Sequence, residues 1–279
     1  MEIVSKKDLD LRNAKKLKVG SFESNLYVKD EYLYKMFKML VFYRYGIERL
    51  RDKEIKVNIL SDVEIPEIIK PSRIVKPRKI IEGLEMPYIK NTTNLYSFFE
   101  YSRDISEYLK VVSKTSKVLK TIHDDPRDIV VCDMNFDNIM FDSEYNIYFC
   151  DSDSYSVSGI PSTSIGKSLD IYCKNRSLSP KSADIRYDNF QMFINFLQIL
   201  FAKYIEHITT EEYERLCDEV SSLRNMRKYF YKTLKSVTVP EVPYLHELID
   251  DADFDSVISY QMPKLYCKSK GIVDHINWL

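Results

Sequence analysis

Residues 130–155 read VVCDMNFDNIMFDSEYNIYFCDSDSY. Apolar runs in this stretch (VVC, IMF and IYFC) are interrupted at fixed places by Asp133, Asn138 and Asp151. Short apolar runs bounded by polar turn formers read as strands. DSEYN, between IMF and IYFC, has the composition of a turn, so the two runs are expected to form the arms of a small hairpin. A hairpin returns Asp151 to the neighbourhood of Asn138. A carboxylate and an amide oxygen are both hard donors, suited to sharing a magnesium ion. Asp133 then lies on the loop ahead of them, where it can accept a proton or orient a hydroxyl.

The whole chain sets limits on this reading. It has 279 residues, enough to bury a large core. A hydrophobic fraction of 44% and a charged fraction of 30% are ordinary for a soluble globular protein. Net charge is -1 and the basic residues are dispersed, so no bulk field points to nucleic acid or a membrane surface. No run of 18 apolar residues occurs and MEIVSKKDLD is charged from its start, so a soluble, cytoplasmic protein is expected. The five cysteines (Cys132, Cys150, Cys173, Cys217 and Cys267) are odd in number and lack CxxC spacing, which favours reduced thiols. The four histidines, His123, His207, His246 and His275, make no metal-ligand spacing.

The order of elements is strand-rich, then helix-rich. KKLKVGSFESNLYV and EYLYKMFK read as short strands around turns, with Gly20 in the first turn. Residues 46–60 read as a helix with Ile47, Leu50, Glu54 and Val57 on one face. IIKPSRIVKPR and KIIEGLEMPYI read as two more strands, proline-punctuated as edge strands are. From residue 91, NTTNLYSFFEYS and ISEYLKVVSKTSKVLKTIHD read as helices, and residues 187–205 form the most hydrophobic helix candidate. Further helices are expected over 210–235 and 244–250. The expected architecture is α+β in two lobes, residues 1–90 and 91–279, with a seam at 86–94 and a ligand site between them.

Asp133, Asn138 five residues on, and an Asp eighteen after the first, beyond a hairpin, resemble the catalytic loop and metal-binding Asp of the protein-kinase-like superfamily. That resemblance extends from about residue 15 to 205, and its subfamily flavour is that of bacterial and phage-type kinase-like proteins. It implies a bilobal fold with a small β-rich N-lobe and a larger helical C-lobe. It also implies an ATP- and Mg2+-dependent phosphotransferase (Mn2+ in place of Mg2+ being compatible), with Asp133 positioning the attacking hydroxyl and Asn138 and Asp151 holding the metal. By position, Lys35 in YLYKMFK corresponds to the phosphate-holding lysine and Glu54, or alternatively Glu48, to the helical glutamate that orients it. Gly20 falls in the phosphate-covering loop, and MPYI (86–89) in the hinge, where backbone groups at Met86 and Tyr88 would meet adenine. Asp188, rather than Asp184, corresponds to the acid that ties a later helix to the catalytic loop.

Several positions depart from that pattern. In LKVGSFESNLYV, Lys18 and Glu23 stand where the first and third glycines of the family's loop would be, leaving Gly20 alone to allow close backbone approach to phosphate. Cys132 replaces the arginine before the catalytic Asp, Asn135 replaces a lysine two residues after it, and Asp151-Ser152-Asp153 stands for Asp-Phe-Gly. Asp153 reads either as an extra acid near the metal or as a loop cap. Acceptors of two kinds fit the residues, a protein serine or threonine and a small-molecule hydroxyl. A non-catalytic binding module with the same fold is the third reading, supported by the eroded glycine loop and opposed by the intact metal-binding pair. Nothing in the sequence favours a nucleic-acid or membrane partner.

Overall fold

The computed structural model describes residues 1–162, apart from 6, 10, 18–22, 77–79, 96 and 98–104, together with 184, 185, 187–189, 191 and 192. The described elements run β1 (Glu2–Val4), β2 (Lys15–Lys16), β3 (Ser24–Lys29), β4 (Tyr32–Phe37), α1 (Met39–Ser61), β5 (Arg73–Val75), β6 (Gly83–Pro87), β7 (Thr93–Asn94), α2 (Ile105–His123), β8 (Ile139–Phe141) and β9 (Ile147–Phe149). The fold is therefore mixed α and β, with a strand-rich N-terminal region. The helices expected over 210–235 and 244–250, and the one expected over 187–205 beyond residue 192, lie outside the described residues.

Six strands form one sheet in the order β1-β5-β6-β4-β3-β2. Alternation along β4 sorts its side chains onto two faces. Tyr34 and Met36 pack with Leu9 and Val75 on one side. Phe37 and Leu33 face the main core of Leu50, Val57, Ile69, Ile74, Leu84 and Met86 on the other. Lys35 shares the face of Leu33 and Phe37, with Leu26 and Leu84 opposite it on the two neighbouring strands. A buried ammonium in an apolar face requires acidic partners from elsewhere in the chain.

Helix α1 departs from its expected start and register. It begins at Met39, seven residues early, and Gly46 breaks it at φ 74°, ψ 170°. Beyond the break the buried face is Leu50, Lys53, Lys56, Val57 and Leu60. Ile47, expected on that face, is 52% exposed, and Glu54 is half-buried beside it. The 50-53-57-60 spacing is helical, but two of the inward positions are lysines, a residue type the hydrophobic pattern assigns to solvent.

Strand β1 pairs parallel with β5, so β5 is interior and not the edge its flanking prolines suggested. A row of residues in register crosses four strands: Glu2, Arg73, Glu85 and Tyr34. Arg73 Nε donates to Glu2 at 2.9 Å and its Nη1 stands 3.5 Å from the buried Glu85 carboxylate. Burial, reinforced by Glu85, pushes the Tyr34 phenol up to about 12.

The second sheet, β7-β8-β9, contains the expected hairpin. Ile139 opposes Phe149 and Phe141 opposes Ile147. Asp142 closes the turn by accepting from the backbone N–H groups of Glu144 and Asn146, each at 2.9 Å. The residues after Asn91, expected to be helical, begin instead with the short strand β7. Helix α2 spans its expected segment and buries Val111, Thr115, Leu119 and Ile122 at three- and four-residue spacing. The hairpin is sewn to the loop before β5 by Phe149 N–H to Glu67 O (2.7 Å) and Ile69 N–H to Phe149 O (2.9 Å). Among the described residues, no helix is long and apolar enough to cross a membrane.

Gly83 sits beside this junction. A Cβ there would stand 2.7 Å from the backbone oxygen of Lys35 and 2.7 Å from the sulfur of Met36. The sulfur can move, but the backbone of β4 cannot without breaking its pairing with β6. Gly83→Ala is therefore expected to lower the unfolding free energy by about 1–3 kcal/mol, read from urea denaturation midpoints at constant m-value.

Candidate active site

The loop that carries Asp133 is held from behind by one carboxylate. Asp188 accepts the backbone N–H of Val131 (2.7 Å) on Oδ2 and that of Cys132 (2.8 Å) on Oδ1. His123, at the end of α2, places Nε2 3.0 Å from the same Oδ2. Gln191 Oε1 accepts the Met134 N–H at 2.8 Å. Three of the four residues from Val131 to Met134 are thus fixed through their backbone N–H groups by partners from the far end of the described chain. Cys132 adopts φ 65°, a left-handed conformation that non-glycine residues hold only when their surroundings enforce it. Burial first, then Asp188, pushes its thiol up to about 12, which makes it chemically inert.

Asn138 joins this loop to the hairpin. Its Nδ2 donates to the Asp133 carbonyl at 3.1 Å, and its own carbonyl accepts the Cys150 N–H at 2.8 Å. Once the amide nitrogen is committed, Oδ1 is the side-chain atom left to coordinate. Asp151 follows directly after Cys150 in a left-handed conformation, φ 60° and ψ 32°. Its Oδ1 accepts from Lys35 Nζ and its Oδ2 from Ser154 Oγ at 3.0 Å. The side chain is 30% exposed, so its remaining lone pairs are within reach of a ligand. Among the described residues no group of three His, Cys, Asp or Glu side chains converges on one point. Two hard oxygen donors, one from Asn138 and one from Asp151, suit a cation that takes its other ligands from phosphate and water.

Lys35 is 6% exposed and bonded to two acids: Asp151, and Asp153 Oδ1 at 2.8 Å. Burial works against its charge, but Asp151 and Asp153 outweigh it, and the ammonium pKa rises well above the usual lysine value. Asp153 is fully buried, and its second oxygen, Oδ2, accepts from Lys53 Nζ. Burial alone would raise the Asp153 pKa; Lys35 and Lys53 reverse that and hold it well below the carboxylate range. The Lys53 ammonium also lies 5.1 Å from the centre of the Phe37 ring. Asp153 is therefore a buried tie between β4 and α1, with each of its oxygens accepting from a lysine.

The sequence expectation for the acid that orients Lys35 is corrected here. Glu54 pairs with Lys76 at 2.5 Å, and Glu48 is exposed on the outer side of α1. The helix turns lysine, not glutamate, toward the site. Met86 is buried in the core and lies in register with Leu33 of β4. Tyr88 spends its backbone N–H on Glu31 O at 2.9 Å, which removes the hinge donor expected there. Gly20 lies outside the described residues. Asp153, read from the sequence as an extra acid or a loop cap, and Lys53 complete the site; sequence reasoning gave no role to Lys53 or to Lys56 beside it. Their one signal is the spacing of Lys53 and Lys56 with Leu50, Val57 and Leu60.

Asn135, which stands where the resemblance expects lysine, instead caps the following turn by accepting from Asp137 N–H at 2.9 Å. Compared against protein-family models and against curated proteins, the chain matches none.

Lys56, beside the site on α1, has a testable pH signature. Its ammonium is buried and donates to Tyr155 O (2.7 Å) and Pro161 O (3.1 Å). Burial first, then Lys53, lowers its pKa from 10.5 to about 8. Between those two values the unfolded chain holds a proton that the folded chain has released, so stability rises with pH across that window. Below the lower value both states hold the proton, and the penalty for burying the charge is fully present. The Tm of the wild type relative to Lys56→Met is expected to increase as pH is raised from about 7.5 to 10; a pH-independent difference would refute the assignment.

Proposed function

We propose that the protein is an ATP- and Mg2+-dependent phosphotransferase of the protein-kinase-like type that transfers the γ-phosphoryl group to a hydroxyl. One observation carries the reading. Lys35 bonds Asp151, the Cys150 N–H just before Asp151 bonds the Asn138 carbonyl, and the Asn138 side chain bonds the Asp133 carbonyl, so residues from three separate segments are linked in the order a phosphoryl-transfer site requires. The element order supports it: a hairpin, the lysine-bearing strand β4, helix α1, then β5 and β6, with β6 inserted beside β4. The bilobal architecture belongs to the same proposal.

The roles follow from the groups. Asn138 Oδ1 and the Asp151 carboxylate would hold the divalent cation, which when bound neutralises phosphate charge. An ammonium has three donors, and Lys35 uses two on Asp151 and Asp153, leaving one for a phosphate oxygen. Asp133 orients the acceptor hydroxyl and takes its proton at the carboxylate. The backbone bonds from Asp188 and Gln191 keep the Asp133 loop in one conformation, so the acid is positioned before substrate arrives.

A protein serine or threonine is the first reading for the acceptor. A small-molecule hydroxyl is the second, favoured by Asn135: with its side chain spent on a cap, no cation stands two residues after Asp133 to meet the transferring phosphate of a protein substrate.

Incubation with γ-labelled and, separately, α-labelled ATP plus Mg2+ tests the proposal. Label is expected to leave ATP from the γ position alone, and Asp151→Ala is expected to abolish it. Asp133→Ala is expected to lower kcat by about 10²–10⁴-fold while the thermal shift on adding ATP and Mg2+ is retained. Transfer of α label would replace this reading by nucleotidyl transfer. Absence of both transfer and thermal shift would remove it.

A further inference from the structure

We propose that Lys53 is a positioning residue of this site: it fixes Asp153, and through Asp153 it aims Lys35, so that helix α1 and strand β4 are joined by a link of reversed charge. The kinetic part of this inference rests on the phosphotransferase reading; the geometric part does not.

Three observations lead to it. First, the Asp153 carboxylate lies between two ammonium groups, Lys35 on Oδ1 and Lys53 on Oδ2. A carboxylate held on one oxygen only is free to rotate about its Cβ–Cγ bond; held on both, it is not. Second, Lys53 is itself immobilised, with its side chain 3% exposed and its ammonium against the face of Phe37, two residues beyond Lys35 on β4. Third, the two acids that hold Lys35 flank Ser152, whose Oγ donates to Ile69 O at 2.7 Å, so the short turn between them is anchored as well. The direction of the remaining Lys35 N–H is therefore set by a fixed frame, and Lys53 is the member of that frame that α1 contributes.

Loss of Lys53 has a specific consequence. Asp153 would retain one partner and expose a buried oxygen, and it can recover a second bond only by turning both oxygens onto Lys35. Either response moves the Lys35 ammonium away from its present aim. Lys56 supplies the comparison. It is equally buried on the same face of α1 and tethers the same following segment, yet it bonds carbonyl oxygens and touches neither acid in the turn. A tethering role alone would make the two lysines equivalent.

The test uses the full chain with Lys53→Met, Lys53→Arg and Lys56→Met, and two readouts. The first needs no nucleotide: acetylation of the Lys35 amine by acetic anhydride, quantified by mass spectrometry. Lys35 is expected to react severalfold faster in Lys53→Met, and at the wild-type rate in Lys56→Met and Lys53→Arg. The second is steady-state kinetics with ATP and Mg2+. Lys53→Met is expected to lose kcat on the order of 100-fold, with a much smaller change in KM for ATP and partial recovery in Lys53→Arg. Unchanged Lys35 acetylation in Lys53→Met, or an equal rise in Lys56→Met, overturns the inference. If Lys53→Met does not fold, the charge-exchanged pair Lys53→Glu with Asp153→Lys decides: slower Lys35 acetylation than in Asp153→Lys alone supports the link, and equal acetylation refutes it. A wild-type protein that transfers no phosphate removes the functional reading, while the acetylation comparison still decides the role of Lys53.

Discussion

Asp153 is the group on which the described part of the molecule turns. A carboxylate with no solvent contact can stay ionised only when cations stand beside it, and here two do, one from the sheet and one from the helix. These contacts hold α1, β4 and the turn after β9 in one arrangement. Removing any member leaves a buried charge short of a partner. Burial of such a group is a costly way to join three elements, and well-packed apolar residues could join them with less desolvation. The expense falls where the chemistry is proposed to occur, which is where proteins tolerate local cost.

The loop bearing Asp133 is governed by the same kind of constraint. Asp188 receives two backbone N–H groups and faces His123, so it satisfies donors that a non-helical, non-strand segment would otherwise bury unpaired. That arrangement lets Cys132 sit at a positive φ. Irregular backbone is stable only when side chains from elsewhere supply the missing bonds, and Asp188 and Gln191 supply them here.

Much of this was legible in the sequence, and the failures have a common cause. The hairpin of β8 and β9 was readable because apolar runs and a turn-forming stretch alternate at strand length. Lys35 and Asp188 were readable by position relative to motifs. The partner of Lys35 was not, because hydrophobic periodicity gives an inward lysine no signal, and the reading placed Glu54 on the apolar face and left Lys53 without a role. Only Asp153, a hundred residues later, reveals that Lys53 of α1 points into the core. Strand β1 was missed for a related reason: three residues carry little pattern, and their pairing with β5 depends on chain folded from elsewhere. The break at Gly46 shifted the helix start, since one residue at positive φ turns the following helix relative to the preceding turns.

The contacts that build the site also span unusual lengths of chain. Lys35 meets its acids across 116 and 118 residues, Lys53 meets Asp153 across 100, and the Asp133 loop meets Asp188 and Gln191 across 56 and 57. Closing such loops costs entropy before any contact is gained, and the partners remain hydrated charges until they meet. The local hairpins can form early, but the ion cluster cannot. The ion cluster thus depends on contacts of high sequence separation, so a chain in which only the local hairpins have formed carries its lysines and acids hydrated and apart.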